Sequence, residues 1–394
     1  MRPHLLAFLS PLAAAACTNA GEALEGNGSS APQAGPEAAE ARPFAVEPIG
    51  QFSEPWAMTF LPNGTLLVTQ RGGALKLRTE DGRVLDVAGV PPVDAGGQGG
   101  LGDVILHPDY LRNGLIYLSW VEAGEGGTRG AAVGRARFVR TEDGAGISNL
   151  QVIWRQTPKV TGRGHFGHRL AFGRDGHLFI TNGDRQKFEP AQDMRQDLGK
   201  ILRLNDDGST PRDNPFYNER ADSTARPGIW SLGHRNPLGI AFDRQGRLWA
   251  HEMGPQGGDE LNLIERGANY GYPIVSNGSH YGGRDIPDHP TRPEFRAPKL
   301  WWNPSISPAG LIIYSGRLFP EWRGDALMGA LSGQSLVRID LDGANAREAN
   351  RWPMGARIRE VEEGPDGAIY LLEDESGGSG GRLLRLTPAG QARR

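Results

Sequence analysis

The chain has 394 residues, of which 57 are glycine and 29 are proline, and its formal net charge at pH 7 is −3. This near-neutral, slightly acidic balance argues against a nucleic-acid-binding protein, which would carry a clear excess of lysine and arginine. Long apolar helices with a regular period are hard to find, and the many glycines indicate tight turns.

The first 17 residues have the anatomy of a secretory signal. Arg2 is followed by the apolar stretch LLAFLSPLAAAA and then by Cys17, and this stretch is too short to span a bilayer as a helix. The sequence AAAC is similar to a bacterial lipoprotein cleavage box, although Ala14 stands where such boxes usually carry leucine. We therefore predict a periplasmic protein with a lipid anchor at Cys17. Ordinary cleavage near Ala20, which would release a soluble secreted protein, is the alternative.

A linker and a single globular domain follow the signal. Residues 18–42 are rich in Gly, Ala, Ser, Pro and Glu and contain almost no large apolar residues, so they predict a disordered tether. Cys17 is the only cysteine, and the mature domain can therefore hold no internal disulfide. The globular part runs over residues 43–390, and its first segment, FAVEPIG, is a candidate for the strand that closes a ring.

The most informative pattern in the globular part is a glycine turn followed by a strand-length apolar run. Each run is soon followed by a second glycine-led strand, such as GGALKLR or GKILRLN. A glycine at the turn can take the positive φ that a tight hairpin needs. The pattern occurs six times, at Gly64, Gly114, Gly176, Gly246, Gly324 and Gly367.

Six hairpins of this kind predict an all-β fold, a six-bladed β-propeller with four-stranded antiparallel blades. Length alone would suggest two or three domains, but one blade cannot bury its own faces, so all blades must close into one domain. Propellers place function at the mouth of the central channel, where loops from different blades meet.

The densest polar cluster is GRGHFGHRLAFGRDGHLFITNGDR, residues 162–185. It places His165, His168 and Arg169 just before one strand and Asp184 just after the next. A hairpin brings its two ends together, so an imidazole and a carboxylate can pair there and form a general base. Turn-capping or buried structural histidines are the alternative.

Two later segments offer groups that bind oxygen atoms. In SLGHRNPLGIAF, Arg235 and Asn236 precede a strand and can hold carbonyl or carboxylate oxygens of a ligand. In HEMGPQGGDELNLI, the Gly-Pro and Gly-Gly pairs leave carbonyls free of regular ladders, which suits calcium. A structurally packed arginine and a turn without metal are the respective alternatives.

Three further sets of residues complete the candidates. Gln98 lies on the flexible loop GGQGGLGDVILHPDY, and Arg357 and Arg359 are two residues apart, so they point to one side of an extended strand. Paired arginines can bind a polycarboxylate, whereas a solvated strand face explains them without any ligand. A zinc site is a competing reading without a matching spacing; its candidate ligands are His165, His168, His177, His234 and His251.

Seven motifs in order give the chain a family resemblance from about Phe44 to Pro388. They are PWAMTFLPNG, GQGGLGDVILHPDY, GHFGHRLAFGRDG with NGDR, GHRNPLGIAF, EMGPQGGDELNLI, NPSISPAG and RIREVEEGPDG. With these motifs the chain resembles the soluble pyrroloquinoline-quinone (PQQ)-dependent aldose sugar dehydrogenases, within the glucose/sorbosone dehydrogenase family of six-bladed propellers. The resemblance implies PQQ and Ca²⁺ as cofactors and an aldose as substrate, oxidised at its anomeric hydroxyl to the lactone.

The resemblance also implies a role for individual residues. His165 matches the catalytic base, Asp184 the acid that orients it, and Arg235 with Asn236 the pair that contacts the quinone oxygens. The remaining matches are Gln98 lining the site, the carbonyls of Gly254 and Pro255 binding calcium, Asp259 near the calcium, Ser305 contacting the cofactor, and Arg357 and Arg359 holding its carboxylates.

The chain departs from the family pattern at two positions. Ser332 stands where many relatives have a cofactor-contacting lysine, and Met253 stands where a polar residue is frequent. Ser305 replaces a threonine and keeps the hydroxyl.

Two other functions stay open at this point, a calcium-dependent propeller hydrolase of the lactonase type and a non-catalytic binding propeller. The hydrolase would need acidic side chains converging on a metal. The loop 272–295 is the expected site of sugar specificity, and the sequence leaves the electron acceptor and the choice between monomer and dimer undecided.

Overall fold

The structure is a computed structural model, and it describes residues 42–140, 144–218, 225–378 and 380–390. The predicted signal, residues 1–17, and all of the predicted linker except Arg42 lie outside these ranges. Within them, no helix is long and apolar enough to cross a membrane.

The described part of the chain is all-β, with strands in four-stranded antiparallel groups. The first strand pairs with the last group of the chain, so β1 (Phe44–Gln51) is antiparallel to β24 (Arg382–Pro388). FAVEPIG therefore forms a strand that pairs with the last strand of the chain, as its predicted role as the ring-closing strand requires. The same sheet contains β22 (Ile358–Glu363) and β23 (Ile369–Glu373).

The next eight strands form one sheet with two antiparallel halves. Its strands are β2 (Pro55–Phe60), β3 (Leu66–Gln70), β4 (Ala74–Arg78), β5 (Val84–Ala88), β6 (Leu101–Leu106), β7 (Leu115–Ala123), β8 (Arg129–Arg140) and β9 (Ala145–Arg155). The halves meet at a short parallel contact between β5 and β9, in which Val87 lies opposite Ala145 and Ala88 opposite Gly146.

Three more four-stranded sheets follow in chain order. The first contains β10 (Gly167–Phe172), β11 (Leu178–Asn182), β12 (Lys200–Leu204) and β13 (Ile229–Leu232). The second contains β14 (Pro237–Phe242), β15 (Leu248–Glu252), β16 (Asp259–Ile264) and β17 (Leu300–Trp302). The third contains β18 (Pro308–Ile313), β19 (Ala326–Ala330), β20 (Ser335–Asp342) and β21 (Asn345–Pro353).

Helical structure is limited to short turns. The described residues form one α-helix, α1 (Tyr110–Asn113), and four 3-10 turns. These turns are Glu125–Gly127, Glu189–Ala191, His289–Thr291 and Pro320–Trp322.

The six predicted glycine turns are confirmed. All six glycines have positive φ, between 65° at Gly114 and 91° at Gly324. Each turn joins the first strand of a four-stranded group to the second, and the second strand pairs antiparallel with the third in every group. The predicted hairpins therefore lie inside single sheets, as the repeat requires.

The first strands of the groups, β2, β6, β10, β14, β18 and β22, are structural equivalents. Five of them share one burial pattern, four buried residues followed by two half-buried ones. Each first strand contacts the first strand of the next group, and β22 contacts β2. Equivalent positions of these strands are therefore brought to the same end of the molecule.

The core lies between neighbouring sheets rather than within one. One cluster combines Trp249 and Leu261 of one sheet with Met328 and Val337 of the next, and all four are fully buried. Burying a large aromatic side chain such as Trp249 contributes roughly 4–6 kcal/mol of hydrophobic free energy. A single sheet could not bury these side chains and so could not gain this free energy. The four-stranded groups therefore have to pack side by side.

Three carboxyl groups and one guanidinium surround a cavity of about 140 Å³ next to the first strands. Arg169 forms ion pairs with Glu360 and Asp103. The side-chain carboxyl group of Glu362 makes no hydrogen bond or ion pair with any residue in the described ranges. Burial, followed by the carboxylates of Glu360 and Asp103, raises the pKa of Glu362 well above its ordinary value. Burial also raises the pKa of Glu360 to about 7.

Glu362 is expected to destabilise the fold at alkaline pH. Because its pKa is raised in the folded state, the folded protein holds this proton more tightly than the unfolded chain, and stability falls as pH rises past the unfolded value. We expect Glu362→Gln to raise Tm by at least about 2 °C at pH 8.5 and to leave Tm at pH 4 nearly unchanged.

The measurement is thermal unfolding at both pH values. Glu363→Gln is the matched control, because Glu363 accepts hydrogen bonds from Ser315 and its replacement should give no gain. A Tm of Glu362→Gln at pH 8.5 equal to or below that of the wild type would contradict the prediction.

Candidate active site

The predicted site residues lie at two places in the four-stranded groups, and each place recurs from group to group. One set lies just before or at the start of a first strand, and the other follows the end of a second strand. Because first and second strands are antiparallel, these two positions meet at one edge of each sheet. The first set is Gln98, His165, Arg235, Asn236, Ser305, Arg357 and Arg359, and the second is Asp184, Gly254, Pro255 and Ser332.

His165 and Asp184 form a buried pair at the edge where β10 and β11 meet. Their Nδ1 and Oδ1 atoms are 2.7 Å apart, and the two residues are 6% and 0% exposed. The predicted pairing of an imidazole and a carboxylate across a hairpin is thus confirmed. Asp184 fixes the ring orientation, and its second oxygen accepts the N–H of Phe188 at 3.2 Å.

The backbone around this pair is tightly constrained. His165 has a φ of +49°, and its N–H donates to Oε1 of Gln98 at 2.7 Å. A Cβ added at Gly183 would lie 2.2 Å from the carbonyl oxygen of His165, so only glycine allows this close approach. A non-glycine residue in the left-handed region costs free energy, and such residues concentrate at functional sites. Gln98 therefore holds the loop of His165 rather than merely lining a space.

Burial lowers the pKa of His165 below its ordinary value of 6.5. The hydrogen bond to Asp184 acts in the opposite direction, and the charge of Arg235 lowers the pKa further. The imidazole is therefore neutral at pH 7, the state in which it can accept a proton. The guanidinium of Arg235 is therefore near enough to the imidazole of His165 for its charge to affect the pKa of the ring.

Arg235 is buried and bound to the loop that follows β15. Its Nη1 donates to the carbonyls of Met253 at 3.0 Å and Gly254 at 2.6 Å, and its Nη2 donates to the hydroxyl of Tyr281 at 3.3 Å. Its Nε is buried and has no hydrogen-bond partner among the described residues. This orphan donor is available to a ligand.

A second buried pair supports the backbone of Arg235. His234 Nδ1 lies 2.9 Å from Oε1 of Glu252, and the other carboxylate oxygen of Glu252 accepts the N–H of Arg235. Glu252 was not predicted as a site residue. Its position at the end of an apolar second strand, equivalent to that of Asn182 before Gly183 and Asp184, is the signal that could have identified it.

A cavity of about 270 Å³ lies beside these residues. Its wall contains predicted residues from several sheets, namely Gln98, Asn236, Arg357, Arg359 and Met253. Residues 166–168 also line it, which places the loop of His165 at its edge. The other predicted residues do not line the cavity; they are His165, Asp184, Arg235, Ser305, Gly254 and Pro255.

Two apolar lining residues, Trp56 and Leu238, were not predicted. Together with Met253 they form an apolar patch in the wall. His168 stacks on Trp56 with ring centroids 4.9 Å apart and lines the cavity, and burial lowers its pKa to about 3. Ser307 lines the cavity in place of the predicted Ser305. Trp56 is the second residue of its first strand, as Arg359 is in β22, so this equivalence could have pointed to it.

Arg357 and Arg359 point to the same side, as their spacing predicts. Both donate to Oδ2 of Asp374, at 3.0 and 3.2 Å. Burial lowers the pKa of Arg359, and Asp374 opposes this effect. Arg71, Glu54 and Glu375 line the same cavity. With Arg357, Arg359 and Asp374 they make three guanidinium groups and three carboxylates.

These observations fit a planar polycarboxylate such as PQQ. The cavity combines an apolar patch for a ring with two arginines for carboxylates. The side-chain Oδ1 of Asn236 is buried without a hydrogen-bond partner in the described ranges, and so is Nε of Arg235. Both atoms belong to the pair expected to meet the quinone oxygens, but only Nε of Arg235 is a donor that such an oxygen can accept from; Oδ1 of Asn236 is itself an acceptor.

Calcium fits less well as the residues stand. The carbonyl of Gly254 accepts a hydrogen bond from Arg235, so a cation bound to this oxygen would lie beside a guanidinium. Asp259 cannot compensate, because its two oxygens accept four hydrogen bonds, from Gly254, Ser305, Ile306 and Ser307. A calcium ion at Gly254 would require Arg235 to turn away.

The five histidines considered for zinc do not converge. Each has its own partner: Asp184 for His165, Ser119 for His168, Asp175 for His177, Glu252 for His234 and the Gly310 carbonyl for His251. The described ranges contain no group of three or more His, Cys, Asp or Glu placed to hold a metal ion.

Comparisons with known proteins show the family of the chain. A family model described as glucose/sorbosone dehydrogenase matches residues 52–385. Over 347 residues the chain is 40% identical to aldose sugar dehydrogenase YliI of Escherichia coli (strain K12), covering 86% of this chain and 91% of the relative.

Two solved structures are similar to this one. The crystal structure of the soluble aldose sugar dehydrogenase from Escherichia coli in the apo-form gives a TM-score of 0.81 at 37% identity, covering 88% of this chain and 99% of that one. The PQQ-bound form of aldose sugar dehydrogenase from Streptomyces coelicolor gives a TM-score of 0.70 at 29% identity, covering 89% and 99%.

The environment of His165 predicts its titration. We expect an NMR-detected pKa below 6.5 in the wild type. In Asp184→Asn the pKa should fall further, because the replaced carboxylate no longer favours the charged ring. Asp175→Asn, beside the surface residue His177, is the control and should leave the pKa of His165 unchanged. A higher pKa in Asp184→Asn would mean that another charge controls the ring.

Proposed function

The chain belongs to the glucose/sorbosone dehydrogenase family, and we propose that it oxidises the anomeric hydroxyl of an aldose to the lactone with PQQ as the hydride acceptor. The carrying observation is the buried His165–Asp184 pair at the edge of a cavity lined by Asn236, Arg357 and Arg359. The PQQ-bound relative from Streptomyces coelicolor supports the choice of cofactor.

His165 is the general base of the proposed reaction. Its Nδ1 faces Asp184, which leaves Nε2 to accept the proton of the sugar hydroxyl as hydride leaves C1. The lowered pKa keeps the ring neutral and ready at pH 7. Once protonated, the imidazolium is stabilised by the carboxylate of Asp184, as in other His–Asp pairs.

The cofactor, when bound, supplies the two-electron redox chemistry that the protein side chains lack. Arg357 and Arg359 would hold its carboxylates, and the apolar patch of Trp56, Leu238 and Met253 would border its ring. Arg235 stabilises negative charge that develops in the site, because its guanidinium is buried in a medium of low dielectric constant. Asn236 contributes its unpaired amide to the same region.

Two exposed aromatic side chains border the proposed reaction centre on the sugar side. The N–H of Phe188 donates to Asp184, and the Tyr281 hydroxyl accepts from Arg235. Their side chains are notably accessible, with Phe188 42% and Tyr281 75% exposed. Tyr281 belongs to the loop 272–295, which the sequence predicts to set sugar specificity. An aromatic face suits the apolar face of a pyranose ring.

We also propose that the eight-stranded sheet acts as two blades, so that the domain is a six-bladed propeller. The parallel contact between its halves involves only two residue pairs. The circuit of contacts through the first strands supports the same count.

Reconstitution tests the proposed function. Purified protein freed of cofactor should reduce a dye in the presence of an aldose only after PQQ is added. Calcium is the second cofactor that the family resemblance implies, and its binding at Gly254 would need Arg235 to release that carbonyl. Chelation after loading tests this requirement separately and should abolish the activity if calcium is needed. Dye reduction without PQQ, or none with PQQ and calcium, would refute the proposal.

His165→Ala tests the assignment of the base. We expect kcat to fall at least about 100-fold, since general bases contribute two to four orders of magnitude. PQQ affinity should change little, because His165 is not a lining residue. His177→Ala, with its side chain at the protein surface, is the matched control. Unchanged turnover in His165→Ala would exclude it as the base.

The periplasmic location and the lipid anchor at Cys17 are likewise proposed. They rest on the N-terminal sequence, which lies outside the described residues. Expression of the full chain in a bacterium with labelled fatty acid should give a labelled, membrane-associated protein, and Cys17→Ala should lose the label. Equal partition of wild type and Cys17→Ala between membrane and soluble fractions would favour the secreted form.

A further inference from the structure

Three serine hydroxyls form a cluster at one wall of the cavity. Ser305 and Ser307 lie in the loop before β18, and Ser332 lies just after β19. Only Ser307 lines the cavity. The cluster occupies the region where the family resemblance places a lysine, at position 332, and a cofactor-binding hydroxyl, at position 305.

The hydroxyl proton of Ser305 is already engaged. Its Oγ donates to Oδ2 of Asp259 at 2.7 Å, and this carboxylate is fully buried. Because a serine hydroxyl has one proton, Ser305 can then only accept further hydrogen bonds. It does accept one, from the N–H of Ser307 at 3.2 Å. Ser305 is therefore a poor donor to a ligand.

The hydroxyl proton of Ser307 has no such fixed acceptor. Ser332 Oγ donates to Oγ of Ser307 at 2.8 Å. The remaining oxygen near Ser307 is Oγ of Ser305, and at 3.4 Å this contact is long for a hydroxyl pair. Ser332 Oγ also lies 3.3 Å from the carbonyl oxygen of Ser305, but its contact with Ser307 at 2.8 Å is the shorter one. With the Ser332 proton in this shorter bond, the proton of Ser307 is left to point into the cavity that this residue lines.

The backbone of Ser307 is held in a strained conformation. Its φ is +53°, and it precedes a proline, which restricts it further. Its N–H donates to Asp259 at 2.8 Å, and its carbonyl accepts the N–H of Leu331 at 2.9 Å. Anchoring at both ends keeps the hydroxyl in place before a ligand arrives, which lowers the entropy cost of binding.

We propose that Ser307, rather than Ser305, donates the hydroxyl hydrogen bond to an oxygen of the bound quinone cofactor, and that Ser332 is a positioning residue that orients it. Many relatives have a lysine at position 332, whose ammonium group would contact the cofactor. In this chain Ser307 and Ser332 supply a neutral hydroxyl donor instead. Cofactor charge is then balanced by Arg357 and Arg359. This inference rests on the proposed function, because it needs PQQ in the cavity.

The test is equilibrium titration of cofactor-free protein with PQQ, followed by tryptophan fluorescence. Ser307→Ala should raise Kd roughly 10-fold, as expected for a hydrogen bond to a charged acceptor. Ser305→Ala should change Kd less than about twofold, although the lost bond to Asp259 should lower Tm. Ser335→Ala is the matched control, since Ser335 Oγ is buried with no partner among the described residues, and it should leave Kd unchanged.

A double-mutant cycle tests the role of Ser332. Ser332→Ala should raise Kd about threefold in the wild type and have no effect in Ser307→Ala, because it acts through that hydroxyl. Equal Kd values for Ser307→Ala and the wild type, or a larger effect of Ser305→Ala, would overturn the inference. If the wild type itself does not bind PQQ, the proposed function fails instead, so the two failures are distinguishable.

Discussion

The arrangement of the site depends on the antiparallel pairing of the first and second strands in each sheet. Where Gly167 pairs with Asn182, this pairing brings His165 and Asp184 within hydrogen-bond distance across 19 residues of chain. The same geometry places Arg235 beside Gly254 in the next sheet. A pairing shifted by one residue would turn every side chain of the strand to its other face. The register of the paired strands therefore determines the geometry of the site.

Buried charge is the second feature that links fold and function. The site holds several ionised groups in a medium that penalises each of them, and every one has a partner in the structure. Asp184 is hydrogen-bonded to the imidazole of His165, and Glu252 to that of His234. Asp374 accepts hydrogen bonds from Arg357 and Arg359. Breaking one partner leaves an uncompensated charge, which is far more costly than losing a surface pair. Such a network keeps donors oriented before any ligand binds.

The third feature is local backbone strain supported by close packing. His165 and Ser307 both have positive φ, and the N–H of each is anchored by a side chain, that of Gln98 for His165 and that of the buried Asp259 for Ser307. Glycines stand where a side chain would collide with this backbone, as at Gly183. The regular repeat supplies the rigid frame that supports these exceptions.

The sequence by itself determined the hairpins and the pairing of His165 with Asp184, because glycine turns and alternating strands are local properties. It also placed Arg357 and Arg359 on one side, from strand geometry alone. Only the tertiary structure decided that Ser307 lines the cavity instead of Ser305, that Arg235 binds the carbonyl of Gly254, and that Glu252 supports the same loop. These contacts join different strands or sheets, and their distances depend on how whole sheets pack, which no local pattern encodes.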